Sequence, residues 1–397
     1  MPYPLTISAS SMREINRSAI LEIIRLESPI SRTLIAERLE VSLPTVMRIV
    51  EDLVRDGFVR AQGGSEWSGG RRRSLLEFNA DGHLVLGVDM SGTRIYGAVS
   101  NLGGSIIDEY ELSHHNSQGE HSYQALLTLI DRLLTSPGLK GRSVRGIGVG
   151  APGITLHHEG IVKWSYPLGW MDFPLKARLT ERYNLPIIVD NDVNLAALGE
   201  LWFGVGQNCQ NMVVITIGNG IGAGIIIDGA LYRGSHEASG EIGGMLPGTN
   251  FLGKSYLDFG ALESVASGIA IEAQAREILA SRRSAQDLES LVIDDVFEAS
   301  RQGQKWALNL VSKMVDYLAV SIANLAVSFD PELIVLGGSV TGSADLLVNP
   351  ILQRIQGTIP TLPRLVASSL GLRAGVMGAI TNVLHNTSNF YVVHKLS

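Results

Sequence analysis

The 397-residue sequence predicts an α/β protein in two unlike parts, a small helical head on a large two-lobed body. Three observations carry that reading. Residues 13–57 hold three short, apolar-periodic stretches separated by capping residues, followed by an arginine-bearing, glycine-rich hairpin. From about residue 84 the pattern becomes strands punctuated by glycine turns, in an order that occurs roughly twice. The chain is too long for one core, and 45% hydrophobic against 18% charged residues makes it globular rather than disordered.

Composition narrows the setting. The lone Cys209 allows no internal disulfide and fits a reducing cytoplasm. The first 18 residues lack a basic segment followed by an apolar run, so no signal peptide is expected. The most apolar helical stretch, WALNLVSKMVDYLAVSIANLAVSF, is broken by Lys313 and Asp316 and reads as a buried helix, with no membrane partner. Residues 1–80 hold eleven arginines, no lysine and ten acids, a net +1, which leaves −8 for the rest of a chain of net −7. An all-arginine head on an acidic body points to phosphate as the head's partner, with a solvated surface as the alternative.

In the head, Ile15, Ala19, Ile20, Ile23 and Ile24 recur at helical spacing, and Pro29 closes that helix. Ser31 is the expected N-cap of a second helix burying Leu34, Ile35 and Leu39. Ser42 caps a third, with Pro44 in its first turn, Val46, Ile49, Val50 and Leu53 inward, and Gly57 at its end. Three short helices with a tight turn before the third make a helix-turn-helix, and two strands with an arginine tip complete a winged form. The third helix then presents Ser42, Thr45 and Arg48 to a major groove, while Arg71, Arg72 and Arg73 on the wing meet phosphate or a minor groove. A three-helix packing module with a charged face is the bland alternative.

In the body, Asp89 ends a strand before MSGT, and IGNGIGAG at 217–224 repeats the strand–glycine-turn motif, with LGGS at 336–339 as a third glycine turn. Two such lobes facing a cleft make a duplicated, ribonuclease-H-like, actin-like ATPase-type fold. Gly92, Thr93, Gly218, Gly220, Gly222, Gly337 and Gly338 are the candidates whose backbone N–H groups approach phosphate. VDND at 189–192 ends a buried strand in acids. Asp192 there reads either as a general base toward a sugar hydroxyl, with Asn191 beside it as donor and acceptor, or as an N-cap in competition with Asn194. The expected division is 1–80 for the head and 81–397 for the body. The body's two lobes are about 81–190 plus the C-terminal helix, and about 191–380.

The stretches GVDMSGTR, GVGAPGI, PLGWMDFPL, VDNDVNLAALGELWFG, IGNGIGAGIIIDGALYRGSHEASGEIGG, LESVASG and DPELIVLGGSV make residues 84–385 resemble the ROK family, named for repressors, open reading frames and kinases. Residues 11–79 resemble the winged helix of its repressor branch, GGR on the wing included. By position the resemblance implies a sugar held by Asn191, Asp192, Glu241 and Glu263, with Gly153 nearby. The family's histidine, which touches sugar and ligates zinc, falls on Gly244, and the stretch matching its three cysteines, NFLGKSYLDFGAL, has none. Tyr256 and Asp258 do not replace such ligands, so no structural zinc is expected. The loop is expected to be held by Phe251, Leu252, Tyr256, Leu257 and Phe259 instead. The family kinases' D-x-G-G-T and G-T-G-x-G motifs also depart here, with Ser91 and Asn219 at variant positions, which counts against ATP.

The resemblance and the head together imply a sugar-responsive transcription regulator, most readily a repressor of carbohydrate-metabolism genes. Its expected partners are double-stranded operator DNA and a mono- or disaccharide in the cleft, and its expected state is a homodimer or tetramer. The alternatives are an ATP-dependent sugar kinase using Asp192 as base, and a DNA-binding protein whose body only dimerises.

Overall fold

The computed structural model describes residues 9–66, 73–91, 94–113, 118–256, 260–281 and 284–387. The head consists of α1 (Ala9–Glu27), β1 (Ile30–Ser31), α2 (Arg32–Leu39), α3 (Leu43–Arg55), β2 (Val59–Glu66) and β3 (Arg73–Phe78). Its three strands form one sheet in the order β1-β3-β2, so the short strand before α2 closes the wing. The caps are as the sequence predicts. Ser31 Oγ accepts from the Leu34 N–H (3.2 Å) and Ser42 Oγ from the Thr45 N–H (3.4 Å). Val46, Ile49, Val50 and Leu53 line the inner face of α3. Two expectations need correction. α1 begins four residues before Arg13, because the ASSM stretch continues the helix without adding to its apolar stripe. Leu34 is 39% exposed rather than buried, because it sits about 100° round the helix from Ile35, which takes the inward position.

The body repeats one plan. In the first lobe β4 (Leu84–Asp89), β5 (Arg94–Asn101) and β6 (Ile106–Ser113) form an antiparallel meander. After α4 (Glu120–Leu134), β7 (Val144–Ala151) runs parallel to β4. A small antiparallel sheet follows, β8 (Ile154–Leu156), β9 (Ile161–Ser165) and β10 (Trp170–Phe173), and then α5 (Leu175–Tyr183). β11 (Ile187–Asn191) pairs parallel with β7, giving the order β11-β7-β4-β5-β6. α6 (Asp192–Phe203) leads into the second lobe.

There β12 (Met212–Ile217), β13 (Ile221–Ile227) and β14 (Ala230–Leu231) form the meander. α7 (Glu263–Ala266), α8 (Gly268–Leu279), α9 (Ala285–Glu289), α10 (Ile293–Arg301) and α11 (Lys305–Phe329) come next. β15 (Leu333–Gly338) runs parallel to β12, and after α12 (Val348–Ile355), β16 (Arg364–Ala367) runs parallel to β15. The order β14-β13-β12-β15-β16 is the first lobe's topology again. α11 is long and apolar enough to cross a membrane by length and composition alone. Here it fills the second lobe's core with eleven buried residues, and the charges at Lys313 and Asp316 lie on its exposed face.

α13 (Ala374–Thr387) returns to the first lobe and lies against β4, β7 and α6. Glycines make that approach possible. A Cβ at Gly378 would run into the Leu195 carbonyl of α6, and one at Gly199 of α6 would run into the Ala374 carbonyl. Beneath the helix, a Cβ at Gly87 would stand 2.6 Å from the Val376 carbonyl oxygen. α13 also reaches the head. Val376, Met377, Ile380 and Val383 share one hydrophobic core with Ile20, Ile24, Ile35, Val50 and Leu53.

Gly378→Val is therefore expected to destabilise the protein by about 2 kcal/mol or more by forcing α13 off α6. Gly342→Ala, where a Cβ meets nothing within 4 Å, is expected to stay within about 0.5 kcal/mol of the parent. Urea unfolding of both variants checks this, and equal effects would show that the crossing does not limit stability.

Candidate functional site

The ends of β4, β7 and β11 lie side by side, with Asp89 opposite Gly150 and Gly150 opposite Asp190. Asp89 is buried, and its carboxylate accepts from the Ser91 N–H (2.9 Å) and the Ser91 hydroxyl (2.9 Å). Asn191 ends β11 with extended backbone (φ −66°, ψ 140°) and is the residue that caps α6. Its Oδ1 accepts from the N–H groups of Val193 (2.9 Å) and Asn194 (2.9 Å), and its Nδ2 donates to the Gly153 carbonyl (3.0 Å). The expected contest between Asp192 and Asn194 for the cap thus goes to neither. An N-cap needs extended backbone and a short acceptor, and Asn191 supplies both. Gly153 itself cannot be another residue: its φ is +92° and a Cβ would meet the Trp164 carbonyl.

With the cap taken, the Asp192 carboxyl is left to the cleft, where Oδ1 receives only the adjacent Val193 N–H (2.9 Å). Burial first, then the facing Asp89 and Glu241 carboxylates, push its pKa up to about 8. Burial raises Asp89 to about 6, against the two Ser91 bonds. Near neutral pH the Asp192 carboxyl holds its proton, so it can donate one hydrogen bond and accept others.

The second lobe supplies the other carboxylates. Glu241 leads a one-turn 3₁₀ helix, Ile242–Gly244, and keeps an exposed face. Its surroundings and the Glu263 carboxylate raise its pKa to about 6. Glu263 opens α7, and its oxygens accept from the Ile221 N–H (2.8 Å) and the Gly260 N–H (2.9 Å). It therefore ties the 217–221 turn to the end of the glycine-rich loop. The structure thus brings together Gly153, Asn191, Asp192, Glu241 and Glu263.

The glycine candidates divide. Gly218 and Gly220 lie in the turn after β12, where the Gly218 N–H closes on the Gly220 carbonyl (2.9 Å). Gly222 is a strand residue of β13, paired with Thr216, and Gly337 and Gly338 end β15 rather than forming a loop. Gly222 and Gly338 allow close approach, since a Cβ would stand 2.8 Å from Val193 Cγ2 at Gly222 and 2.3 Å from the Ile217 carbonyl oxygen at Gly338, whereas at Gly337 nothing lies nearer than 3.7 Å. Gly92 and Thr93 lie outside the described residues. In the 245–260 loop Phe251 is buried against Tyr317 and Tyr256 (6.1 Å each), as expected, but Leu252 is 62% exposed, outside that cluster. Leu257, Asp258 and Phe259 lie outside the described residues. Among the described residues no group of three histidine, cysteine or acidic side chains could hold a metal.

Sequence reasoning missed a buried hub beside Asn191. Asp190 accepts both guanidinium arms of Arg233 (2.7 Å each) and the Asn382 amide (3.1 Å), and stands 3.3 Å from His157 Nδ1. Burial alone would raise its pKa, but Arg233 and His157 outweigh that and hold it well below the usual carboxylate range. The signal was the acid at 190 ending an apolar strand. Nothing in the sequence named partners 33, 43 and 192 residues away.

On the head, α3 exposes Ser42, Leu43, Met47 and Arg48. The Ser42 hydroxyl caps the helix and stands 2.8 Å from the hydroxyl of the half-buried Thr45, so both are engaged before any partner arrives. Arg13, Arg17, Arg25, Arg38, Arg55 and Arg60 pair with acids, whereas Arg48 has no partner among the described residues. Met47, 45% exposed, falls outside the buried stripe. Arg73 begins β3, and Arg71 and Arg72 lie outside the described residues.

The model of the ROK family matches residues 85–386, and that of winged helix-turn-helix DNA-binding domains matches residues 13–60. A xylose repressor from Bacillus subtilis (strain 168) is 29% identical over 378 residues, 94% of this chain and 96% of its own. A glucokinase from Halalkalibacterium halodurans is 37% identical over 317 residues, 74% of this chain and 92% of its own. Among solved structures, a ROK family transcriptional regulator homologous to the E. coli MLC protein superposes with a TM-score of 0.82 at 25% identity. That superposition covers 96% of this chain and 98% of the other. A Streptomyces griseus ROK glucokinase bound to glucose and AMPPNP gives 0.66 at 27%, covering 75% and 98%.

Two outcomes follow. The folded pKa of Asp192 stands above the ordinary 3.8, so the stability it contributes is complete below that value and is lost as pH rises through about 8. Asp192→Asn is expected to gain on the parent steadily between about pH 4 and pH 8 in thermal unfolding, and parallel curves would refute the shift. Arg233→Ala leaves Asp190 buried without its bidentate guanidinium partner, with an expected loss of about 3 kcal/mol. Adding Asp190→Asn should restore part of it, and a double-mutant cycle measures how much.

Proposed function

The chain belongs to the ROK family, and from that membership together with the winged head we propose that it is a sugar-responsive transcriptional repressor of carbohydrate-metabolism genes. The observation that carries this is coverage. The similarity to xylose repressors runs the length of the chain, head included, while that to glucokinases covers the body. The named sugar belongs to those relatives; for this chain the class is a polyhydroxylated ligand. Asn191, Asp192 and Glu241, with Glu263 behind them, suit such a ligand because amides and carboxyls each serve several hydroxyls.

The head reads operator DNA as one half of a homodimer, with half-sites set by helical turns of the duplex. α3 enters the major groove. Arg48 forks onto a guanine, and Leu43 and Met47 meet thymine methyls. Arg71, Arg72 and Arg73 neutralise phosphate from the wing. Sugar in the cleft biases the lobes, and α6 and α13 carry that bias to the core shared with the head. The protein acts in the cytoplasm without zinc or ATP.

A kinase reading keeps one observation, the Asp192 carboxyl aimed at the cleft. Against it, Ser91 is engaged by Asp89 and the variant glycine motifs remain.

Fluorescence anisotropy with duplexes selected from a random library, at one fixed salt concentration, tests the proposal. Arg48→Ala is expected to weaken binding by about 1–3 kcal/mol and to relax one base position. At least one sugar of a mono- and disaccharide panel is expected to release the parent protein. DNA binding that no sugar alters would remove the sensor. Sugar-dependent ATP turnover at about 1 s⁻¹ or faster would establish the kinase instead.

A further inference from the structure

α6 is engaged at both ends. Its N-cap is Asn191 and its first residue is Asp192, two of the residues gathered at the cleft. Its twelve residues make a rod about 18 Å long. The second lobe lies directly on its flank. A Cβ at Gly222 of β13 would stand 2.8 Å from Val193 Cγ2, and one at Gly224 would stand 2.4 Å from Ala197 Cβ. Strand and helix packed this closely leave no slack, so a shift of β13 displaces α6.

The last turn of α6 meets the head. The Trp202 ring lies under the Arg25 guanidinium of α1, with Cζ 5.2 Å from the ring centroid. Arg25 donates from Nε (2.8 Å) and Nη2 (2.6 Å) to the Glu22 carboxylate, and this bidentate bond sets the plane of the cation. Phe203, the next residue, packs on the hydrophobic core that the head shares with α13. It also bears on the turn between β5 and β6, where a Cβ at Gly104 would stand 2.4 Å from its ring. From α1 two ion pairs run on to α3, Arg13 to Asp52 (2.5 Å) and Arg17 to Asp56 (2.8 Å). Each step from Asn191 to the DNA-reading helix is therefore a bond or a packing contact. Apolar packing is non-directional, whereas a cation over an indole face weakens when either element slides.

Resting on the reading of the cleft as the site of a sugar that releases DNA, we propose that Arg25 and Trp202 are the pair through which the sugar acts on the head. A shift of the second lobe displaces α6, the Arg25–Trp202 contact takes α1 with it, and the two ion pairs pass the movement to α3. The pair binds neither sugar nor operator. Its part is to couple the two sites, so its loss separates the responses and leaves each binding surface in place.

Anisotropy of the full chain on a library-selected duplex, with and without glucose, xylose, galactose, maltose or cellobiose, tests this beside isothermal titration of the same sugars. In the parent at least one of them is expected to weaken DNA binding about fivefold or more. Trp202→Ala and Arg25→Gln are each expected to cut that factor to about twofold or less. DNA affinity without sugar and sugar affinity without DNA are expected to stay within about threefold of the parent. The double variant is expected to lose no more coupling than either single one. Arg25→Gln leaves α6 untouched, so it carries the test if Trp202→Ala does not fold. Variants that bind the sugar and are released as fully as the parent overturn the coupling and leave the sensor standing. A loss of DNA affinity beyond about threefold in both variants without sugar overturns it too, since the pair then serves the fold of the head. A parent that binds no sugar, or binds one without releasing DNA, overturns the sensor and this inference with it.

Discussion

The Asp190 carboxylate is 1% exposed, and a charge buried that deeply persists only with partners on every side. Its partners come from different parts of the chain. Arg233 follows the second lobe's meander, His157 follows β8, and Asn382 lies in α13. Satisfying one carboxylate therefore sets three elements against the end of β11. Asn191 is the next residue, so the cleft inherits that positioning. The same loop that supplies Arg233 carries Glu237, which accepts from the His157 N–H, so that loop is tied to the first lobe twice.

From Asn191 the constraint runs outward along helices. Asn191 caps α6, α6 crosses α13 at Gly199 and Gly378, and α13 completes the head's hydrophobic core. Backbones packed this closely have few intermediate positions, so a shift at one end is passed on rather than absorbed. Glu200 adds a second tie at the far end of α6. Fully buried, it accepts from the Ser368 hydroxyl, the Leu370 N–H (3.2 Å) and the Val205 N–H (3.0 Å), joining α6 to the segment that leads into α13.

Four carboxyl groups near one cleft do different work because their surroundings differ. Glu263 is occupied by two backbone N–H groups and serves as a brace for the glycine turn. Asp89 is held by Ser91. Asp192 and Glu241 lack such anchors, and both have raised pKa values, Asp192 from burial and the Asp89 and Glu241 carboxylates, Glu241 from its surroundings and the Glu263 carboxylate. Near neutral pH the Asp192 carboxyl offers a donor as well as acceptors, whereas Glu241, at about 6, is mainly an acceptor.

The sequence alone determined the head, the duplicated body, and the residues at strand ends, because those are written in local signals. Helical and strand periodicity, the caps at Ser31 and Ser42, and glycines after strands all act within a few residues. The ROK motifs located Asn191, Asp192, Glu241 and Glu263 by position. Tertiary structure alone decided what each of them does. The cap fell to Asn191 because of its backbone angles, which freed Asp192. Glu263 became a brace because the 217–221 turn folds back onto it. Gly222, Gly337 and Gly338, which looked like loop residues, are strand residues, and Gly222 and Gly338 allow close approach. Arg233, His157 and Asn382 could not be paired with Asp190 in advance, because a buried charge requires partners without specifying where in the chain they lie.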